Sequence, residues 1–175
     1  NIESTLVVKK ILQNSTCKII IDADGLNVIG RCSPTTFATY APERIILTPH
    51  PGEMARLLGK TVTDIQSNRK NSARECARIT GCVTVLKGAG TIIALPDGNA
   101  SINLNGNPGM AKGGSGDVLA GIIGSLAAQN YSPADSAKLG VFLHGKAGDE
   151  AAIVKSEHGI IASDIIDRLP FVIGK

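Results

Sequence analysis

The sequence predicts an α/β domain with a mostly parallel central sheet flanked by helices. Short apolar, β-branched runs alternate along the chain with longer segments whose apolar residues recur at helical spacing. Three of these runs lead into loops rich in glycine, proline or polar residues, as parallel strands do before the next helix. The chain has 175 residues, of which 43% are hydrophobic. It is therefore long enough to bury a single core as one domain.

Composition and charge argue against nucleic acids and membranes as partners. Aromatic residues make up only 3% of the chain, which argues against a stacking platform for single-stranded nucleic acid. The net charge of +3 is scattered rather than gathered in a basic tract, so an anionic ligand is expected to be small. The longest apolar run, residues 118–128, is too short and too glycine-rich to cross a bilayer, and no signal peptide opens the chain. We therefore expect a cytoplasmic protein.

The four cysteines do not form a recognisable disulfide or metal-binding pattern. Cys17, Cys32, Cys76 and Cys82 include no Cys-x-x-Cys pair and have no metal-ligand spacing to the three histidines. We interpret them as buried or incidental reduced thiols.

The first part of the chain is predicted to contain two buried strands. Apolar residues at helical spacing predict a helix over residues 2–12, and the apolar run 17–21 predicts a buried parallel strand. Residues 34–41 are expected to form a helix followed by a loop, and residues 44–47 a second buried strand. Both strands end in polar loops, at the edge where open α/β sheets bind ligands.

These two loops contain candidate ligand contacts. Residues 22–27 read Asp-Ala-Asp-Gly-Leu-Asn, although a turn with a helix cap is the more common meaning of an isolated Asp-x-Asp. In the second loop His50 lies between two prolines, which restrict its backbone and give its side chain a fixed direction. Pro51 suits the first turn of a helix. We interpret His50 as a ligand contact, and Glu53 as either a helix cap or a second contact.

A helix and a third strand follow. Residues 62–80 predict one amphipathic helix entered at Thr63, and residues 82–86 predict a buried strand. Lys87 ends this strand beside Gly-Ala-Gly, which suits a contact to phosphate or nucleotide. A simple hairpin turn is the alternative.

A hairpin then leads into the glycine-rich stretch. Residues 91–95 and 100–104 flank Pro-Asp-Gly and predict two antiparallel strands. The second of them runs directly into residues 105–116, which are too rich in Gly, Asn and Pro for a regular element.

This glycine-rich stretch is the strongest predicted ligand site. The apolar pattern that starts at Ser115 predicts a helix, so three glycines lie where loop becomes helix. A helix start offers unpaired N–H groups and a partial positive charge, and glycines let that backbone lie against a phosphate. Asp117, in the first turn, adds a carboxylate. An ordinary capped helix is the alternative, but the three glycines and Lys112 favour an anion site.

Two well-known motifs do not fit this stretch. No Gly-Lys-Ser/Thr sequence closes it, as a Walker P-loop requires. The Gly-x-Ser-x-Gly frame of a nucleophile elbow fails at Asp117.

Three helices are expected to close the chain, over residues 115–129, 132–155 and 163–169. Ser132 is a good N-cap for the second of them. The small residues around His144 indicate close helix packing, and we interpret His144 as structural.

These loops, in this order, resemble those of the ADP/ATP-dependent NAD(P)H-hydrate dehydratase family, within the ribokinase-like superfamily. The His-Pro-Gly-Glu and Lys-Gly-Gly-Ser-Gly-Asp segments are the most specific matches. The matching segments are residues 22–27, 47–53, 86–91, 105–121 and 144–149. The resemblance implies that residues 1–175 form the C-terminal two thirds of a ribokinase-like, carbohydrate-kinase-type domain, with the β-hairpin before its anion-hole loop.

The resemblance also implies an activity. The family's enzymes are hydro-lyases of metabolite repair that restore NADH or NADPH from its hydrated form, NADHX or NADPHX. ADP or ATP with Mg²⁺ phosphorylates the ring hydroxyl, and elimination of phosphate regenerates the reduced ring. Asp117 matches the catalytic Asp of the superfamily, which takes the proton of that hydroxyl. The family's assemblies further imply a homo-oligomer, with an NAD(P)HX epimerase as a fused domain or partner.

The resemblance assigns residues to each ligand. The substrate site is expected to include Asp117 and one continuous segment: His50, Pro51, Gly52, Glu53, Met54, Ala55 and Arg56. The nucleotide is expected to be bound by two glycine-rich segments: Lys87, Gly88, Ala89, Gly90, Thr91, Asn107, Gly109, Lys112, Gly113, Gly114, Ser115 and Gly116. The surroundings of the phosphate and Mg²⁺ are expected to include Asp22, Asp24 and Asn27. No direct protein cage is expected around the metal.

Two other functions fit some of these residues. A ribokinase-like kinase of a vitamin precursor would share the glycine-rich loop and Asp117 but release a stable phosphorylated product; the His-Pro-Gly-Glu loop argues against it. A non-catalytic module would bind ADP without turnover.

Overall fold

The computed structural model of the chain describes residues 2–31, 35, 39–40 and 42–174. The chain divides into two compact units: unit 1 comprises Asn1–Lys87 and Ile92–Ser101, and unit 2 comprises Gly88–Thr91 and Ile102–Lys175. Within the described ranges, no helix combines the length and the apolar character needed to span a bilayer.

In its described residues, unit 1 contains a sheet and five α-helices. The helices are α1 Ile2–Asn14, α2 Ala23–Arg31, α3 Pro51–Leu58, α4 Val62–Ser67 and α5 Arg69–Thr80, with a 3-10 turn at Pro42–Arg44. The strands are β1 Ile19–Ile21, β2 Ile45–Leu47, β3 Val83–Leu86, β4 Thr91–Ala94 and β5 Ala100–Asn103. The predicted first helix and the three predicted buried strands are confirmed within two residues. The helix predicted over residues 34–41 falls mostly on positions outside the described ranges.

The sheet is mixed, with its strands in the order β1-β2-β3-β4-β5. The first three strands are parallel: Ile20 pairs with Ile46, and Ile46 pairs with Val83. Strand β4 runs antiparallel to β3, with Val85 opposite Ile93. The loop between β3 and β4 is therefore a hairpin turn, the alternative considered for the segment after Lys87. The predicted hairpin formed by β4 and β5 is also confirmed.

The parallel strands are apolar, except for the buried Thr84 of β3, because helices cover them. All three residues of β2, Ile45–Leu47, are completely buried, as expected for a strand with both faces packed. Met54 of α3 and Ile65 of α4 are also completely buried in the same core cluster. This packing places the strand ends, where the polar loops begin, on a rigid support.

The single helix predicted over residues 62–80 is wrong. The backbone breaks at Asn68, which has φ −142° and ψ 50° and separates α4 from α5. The N-cap is Thr61 rather than Thr63: its hydroxyl accepts the Asp64 N–H at 3.1 Å, and the Asp64 carboxylate accepts the Thr61 N–H at 3.1 Å. This reciprocal capping box fixes the start of α4. The hydrogen bond that the Thr61 hydroxyl donates to the Asp64 carboxylate at 2.6 Å, together with that from the Thr61 N–H, lowers the pKa of Asp64.

Unit 2 is mainly helical. Its helices are α6 Ser115–Ala128, α7 Pro133–Gly159 and α8 Ala162–Ile173, and a 3-10 turn spans Pro108–Met110. The three predicted closing helices are thus confirmed, with α8 longer than expected. Ser132 is the N-cap of α7, as predicted, and its hydroxyl accepts the Asp135 N–H at 3.1 Å. Ser156 has a non-helical backbone (φ 62°, ψ 160°), so α7 is kinked one residue beyond its predicted end.

The thiols in the described ranges are free. Cys17 is exposed, whereas Cys76 and Cys82 are buried. Burial raises the pKa of both buried thiols to about 12, so they stay protonated and unreactive at neutral pH. This agrees with their interpretation as reduced thiols; Cys32 lies outside the described residues.

Candidate functional site

In unit 1, the ends of the three parallel strands bring predicted site residues together. Asp22 follows β1, Glu53 lies in the helix after β2, and Lys87 follows β3. The Lys87 Nζ lies 2.5 Å from the Asp22 Oδ1 and 3.9 Å from the Glu53 Oε2. The Lys87 side chain is only 20% exposed, and those of Asp22 and Glu53 are 16% and 6% exposed. The lysine is therefore a shielded counterion for two carboxylates.

His50 caps helix α3. Its Nδ1 accepts the N–H groups of Gly52 at 3.0 Å and Glu53 at 3.3 Å. Its own N–H donates to the Glu53 Oε2 at 2.7 Å, which completes a capping box. Because Nδ1 is an acceptor, the neutral ring carries its proton on Nε2, which lies 3.3 Å from the Glu53 Oε1. The His50 side chain is 49% exposed. Glu53 is thus a helix cap, one of its two predicted roles.

The rest of the predicted substrate segment, residues 54–56, has a buried side and an exposed side. Met54 and Ala55 are buried in the core and hold the segment in place. Arg56 is exposed, and its guanidinium donates to the Asn27 Oδ1. The Asn27 Nδ2 in turn lies 3.4 Å from the Asp24 Oδ1. These contacts connect α3 with α2, so the two predicted loops are brought together by the fold.

Asp22 also contacts the start of α2. Its Oδ1 accepts the Ala23 N–H at 2.8 Å in addition to the Lys87 ammonium. Asp22 therefore joins the start of α2 to the lysine that follows β3.

In unit 2, the glycine-rich loop leads into α6 as predicted. Gly114 is the N-cap and has φ 87°, a left-handed backbone that favours glycine. No side chain caps this helix end, and within the described part of the chain the N–H groups of Gly114, Gly116 and Asp117 have no hydrogen-bond partner. The Asp117 side chain is exposed in the first turn. Such an end presents several donors and a positive dipole to an anion.

Helix α7 holds the beginning of this loop. The Asn107 Nδ2 donates to the Gly148 carbonyl at 3.0 Å and to the Asp149 Oδ1 at 3.1 Å. The Asn107 Oδ1 accepts the Gly109 N–H at 3.1 Å. Since both ends of this side-chain amide are engaged within the chain, a contact from here to a nucleotide would come from the backbone.

The same helix holds the end of the loop. The Lys112 Nζ donates to the carbonyl oxygens of His158 and Ile160, both at 2.7 Å, rather than extending freely. The His144 Nε2 lies 3.0 Å from the Ser115 carbonyl oxygen. Burial lowers the pKa of His144 to about 4, so the ring is neutral and donates this hydrogen bond. This contact agrees with the structural interpretation of His144.

The shorter glycine segment has a local hydrogen bond of its own. The Thr91 hydroxyl donates to the Gly88 carbonyl at 3.0 Å, while Gly88 and Ala89 are exposed. Among the described residues, no group of three or more His, Cys, Asp or Glu side chains is arranged to hold a metal ion.

The sequence assigned no role to Asp149, which the structure places against the loop. One signal was present: a charged residue directly follows a helix face of small residues, Gly145, Ala147 and Gly148, all of which are buried. Small residues on a helix allow another backbone to approach, and a neighbouring carboxylate can accept its N–H groups.

Comparison with known proteins identifies the family. A family model described as NAD(P)H-hydrate dehydratase matches residues 1–170. The chain belongs to the NAD(P)H-hydrate dehydratase family. It is 47% identical over 167 residues to the bifunctional NAD(P)H-hydrate repair enzyme Nnr of Moorella thermoacetica, covering 95% of this chain and 31% of that protein. It is 44% identical over 144 residues to the ADP-dependent (S)-NAD(P)H-hydrate dehydratase of Neisseria meningitidis, covering 82% of this chain and 48% of that protein.

Solved structures confirm the predicted ribokinase-like fold. The ADP/ATP-dependent NAD(P)H-hydrate dehydratase of Bacillus subtilis, co-crystallised with ATP/Mg²⁺ and soaked with CoA, superposes with a TM-score of 0.84 at 36% identity. That match covers 95% of this chain and 59% of the Bacillus chain. A ribokinase-like superfamily protein of Enterococcus faecalis superposes with a TM-score of 0.78 at 28% identity, covering 97% of this chain and 57% of that one. The chain thus spans less than two thirds of the length of each of these dehydratase-family relatives.

Proposed function

We propose that this chain carries the catalytic part of an ADP/ATP-dependent NAD(P)H-hydrate dehydratase. The observation that carries the proposal is the start of α6, where unpaired backbone N–H groups lie beside the exposed carboxylate of Asp117. Family membership supplies the reaction that this anion site would serve. The substrate is hydrated NADH or NADPH, and the product is the reduced dinucleotide.

Asp117 acts as the general base. Its carboxylate takes the proton of the substrate's ring hydroxyl, whose oxygen forms a bond to the terminal phosphorus of the nucleotide. At the same time the bond from that phosphorus to the bridging oxygen breaks, and AMP leaves when ADP is the donor or ADP when ATP is the donor. The N–H groups of Gly114 and Gly116 stabilise the negative charge on the transferred group. The carbon–oxygen bond to this phosphate then breaks far more readily than a bond to hydroxide would. The adjacent ring carbon releases a proton to solvent, and the double bond of the reduced ring is restored.

The substrate and the nucleotide use different segments. The His50 to Arg56 segment contributes to the substrate site, where the His50 side chain is about half exposed. The backbone of residues 107–116 and of the shorter segment after Lys87 binds the nucleotide. The placement of Asn107 and Lys112 against α7 supports a backbone contact, because their side-chain donors are already used.

Magnesium fits this chemistry without a cage of protein ligands. Mg²⁺ commonly binds through substrate phosphates, water and one or two carboxylates. When bound, the ion neutralises charge on the nucleotide phosphates.

We also propose an assembly and a cellular location for the protein. Relatives described as bifunctional repair enzymes support an epimerase activity as a fused domain or a partner. We propose that it acts in the cytoplasm as a homo-oligomer.

A turnover assay tests the proposal. The protein is mixed with hydrated NADH, Mg²⁺ and either ADP or ATP, and the recovery of the reduced-nicotinamide absorbance is followed. Recovery that requires nucleotide is the expected result. Nucleotide consumption that yields a stable phosphate ester of another alcohol would instead identify a kinase, and nucleotide binding without turnover would contradict an active dehydratase.

A further inference from the structure

We propose that Asp149 is a positioning residue for nucleotide binding, which sets the path of the glycine-rich loop (residues 105–116) without touching the nucleotide. This inference rests on the proposed function only in that it takes the anion of the loop to be an adenine nucleotide.

Asp149 holds the loop at two points. Its Oδ2 accepts the Gly106 N–H at 3.0 Å, and its Oδ1 accepts the Asn107 Nδ2 at 3.1 Å. The side chain is half-buried and projects from α7, more than 40 residues farther along the chain. Because one carboxylate bonds both a backbone and a side-chain donor, it fixes the orientation of the loop as well as its distance from the helix.

The contacts continue from this point toward the start of α6. The Asn107 Oδ1 accepts the Gly109 N–H, and the Asn107 carbonyl accepts the Met110 N–H, both at 3.1 Å. These bonds form the 3-10 turn, which lies so close to α7 that a Cβ on Gly109 would lie 2.1 Å from the Glu157 carbonyl oxygen. Five residues after Gly109 comes Gly114, the N-cap of α6. A displacement at Asp149 would therefore move the backbone that carries the free N–H groups.

The loop offers a nucleotide its backbone rather than its polar side chains. The amide of Asn107 is bonded at both ends, and the ammonium of Lys112 is bonded to two carbonyls. Affinity for phosphate then depends on the direction of N–H groups, and hydrogen bonds weaken steeply when the donor is misaligned. A residue that fixes this direction controls nucleotide affinity without contacting the ligand.

The substitution Asp149→Asn tests this role with little change in shape. One carboxylate oxygen of Asp149 becomes an NH₂ group, which faces either the Gly106 N–H or the Asn107 Nδ2. Since both of these groups are donors, one of the two hydrogen bonds is lost. Loss of a charge-assisted hydrogen bond predicts an increase of about tenfold or more in the Kd for ADP. The control is Asp167→Asn, the same substitution at an exposed residue of α8, which should leave this Kd unchanged.

Calorimetry with ADP and steady-state kinetics separate positioning from a general loss of structure. A positioning role predicts a raised Kd and KM for the nucleotide, with KM for the hydrated dinucleotide and kcat at saturating nucleotide close to wild type. The melting temperature is expected to fall only as far as the loss of one hydrogen bond requires. A proportional loss of affinity for both ligands together with a fall in melting temperature would overturn it, as would an unchanged Kd.

A second variant keeps the test decisive if Asp149→Asn does not fold. Asn107→Ala removes one of the two donors that Asp149 binds and should raise the Kd severalfold; no change would overturn the proposal. Where both variants fold, the two substitutions are combined in one protein. Its Kd for ADP should not exceed the larger of the two single-variant Kd values, because the two residues act as one unit. Additive losses would instead indicate independent contacts and contradict the proposal.

The proposed function and this inference fail differently. A wild-type protein that binds ADP but does not restore NADH contradicts the dehydratase activity, while the calorimetric comparison still tests Asp149. A wild-type protein that binds neither ADP nor ATP contradicts this inference directly.

Discussion

Replacing Lys87 with methionine should destabilise the protein far more than the same replacement at another paired lysine. The Lys87 ammonium is four-fifths buried between the carboxylates of Asp22, at 2.5 Å, and Glu53, at 3.9 Å. Methionine keeps most of the aliphatic stem but leaves two shielded carboxylates without their counterion. A hydrogen bond between charged groups contributes about 1.5–3 kcal/mol, and removing one partner of a fully buried pair costs about 3–5 kcal/mol. Since a fifth of Lys87 is exposed, we expect a loss of about 2–3 kcal/mol.

Lys60 provides the matched control. It pairs with Glu75, but the two side chains are 36% and 34% exposed. An exposed pair contributes at most about 1 kcal/mol, so Lys60→Met should have a small effect. Urea unfolding measures both free energies, and for a chain of this length the Lys87 variant should melt about 5–10 °C lower than wild type. Equal losses for the two variants, or a loss below about 1 kcal/mol for Lys87→Met, would refute the argument from burial.

Two further predictions concern unit 2. Burial lowers the pKa of His144 from 6.5 to about 4. As the pH falls from 7 to 5, this histidine therefore takes up a proton in the unfolded chain but stays neutral in the folded protein. The free energy of unfolding should fall by about 2 kcal/mol over this range. His144→Gln should show a correspondingly smaller fall in urea titrations at the two pH values, and identical pH dependence would contradict the prediction. Gly109→Ala should lower stability by about 1–3 kcal/mol, because its Cβ would lie 2.1 Å from the Glu157 carbonyl oxygen. Gly121 lies in the middle of α6, and outside the helix's own backbone a Cβ there would have no atom within 4 Å. Gly121→Ala should therefore be stabilising by about 0.5–1 kcal/mol. Thermal melts that rank the two variants the other way would contradict the steric explanation.

The sequence was sufficient to place the strands and the loops that follow them. Continuous apolar runs such as Ile45–Leu47 are typical of strands buried on both faces, and they bound the polar loops on either side. The glycines before Ser115 likewise marked the start of α6, because a loop of that composition cannot continue a helix. Local composition was therefore enough for these strands and for the glycine N-cap at the start of α6.

The sequence was less informative about breaks within helices and about distant contacts. Apolar spacing continues across Asn68, so periodicity predicted one helix where the backbone forms two. The Thr61-x-x-Asp64 capping box was a usable signal that the prediction passed over in favour of Thr63. The pairing of Asp149 with Gly106 joins residues 43 positions apart, and only the packing of α7 against the loop brings them together.

The most direct test of the proposed chemistry is the substitution Asp117→Asn, assayed by recovery of reduced-nicotinamide absorbance from hydrated NADH at saturating nucleotide and Mg²⁺. The control is Asp135→Asn, the same change in the first turn of α7. If Asp117 is the general base, kcat should fall by at least about a hundredfold while ADP remains bound in calorimetry, and the control should match wild type. An Asp117→Asn variant that turns over within tenfold of wild type would contradict the assignment of the base.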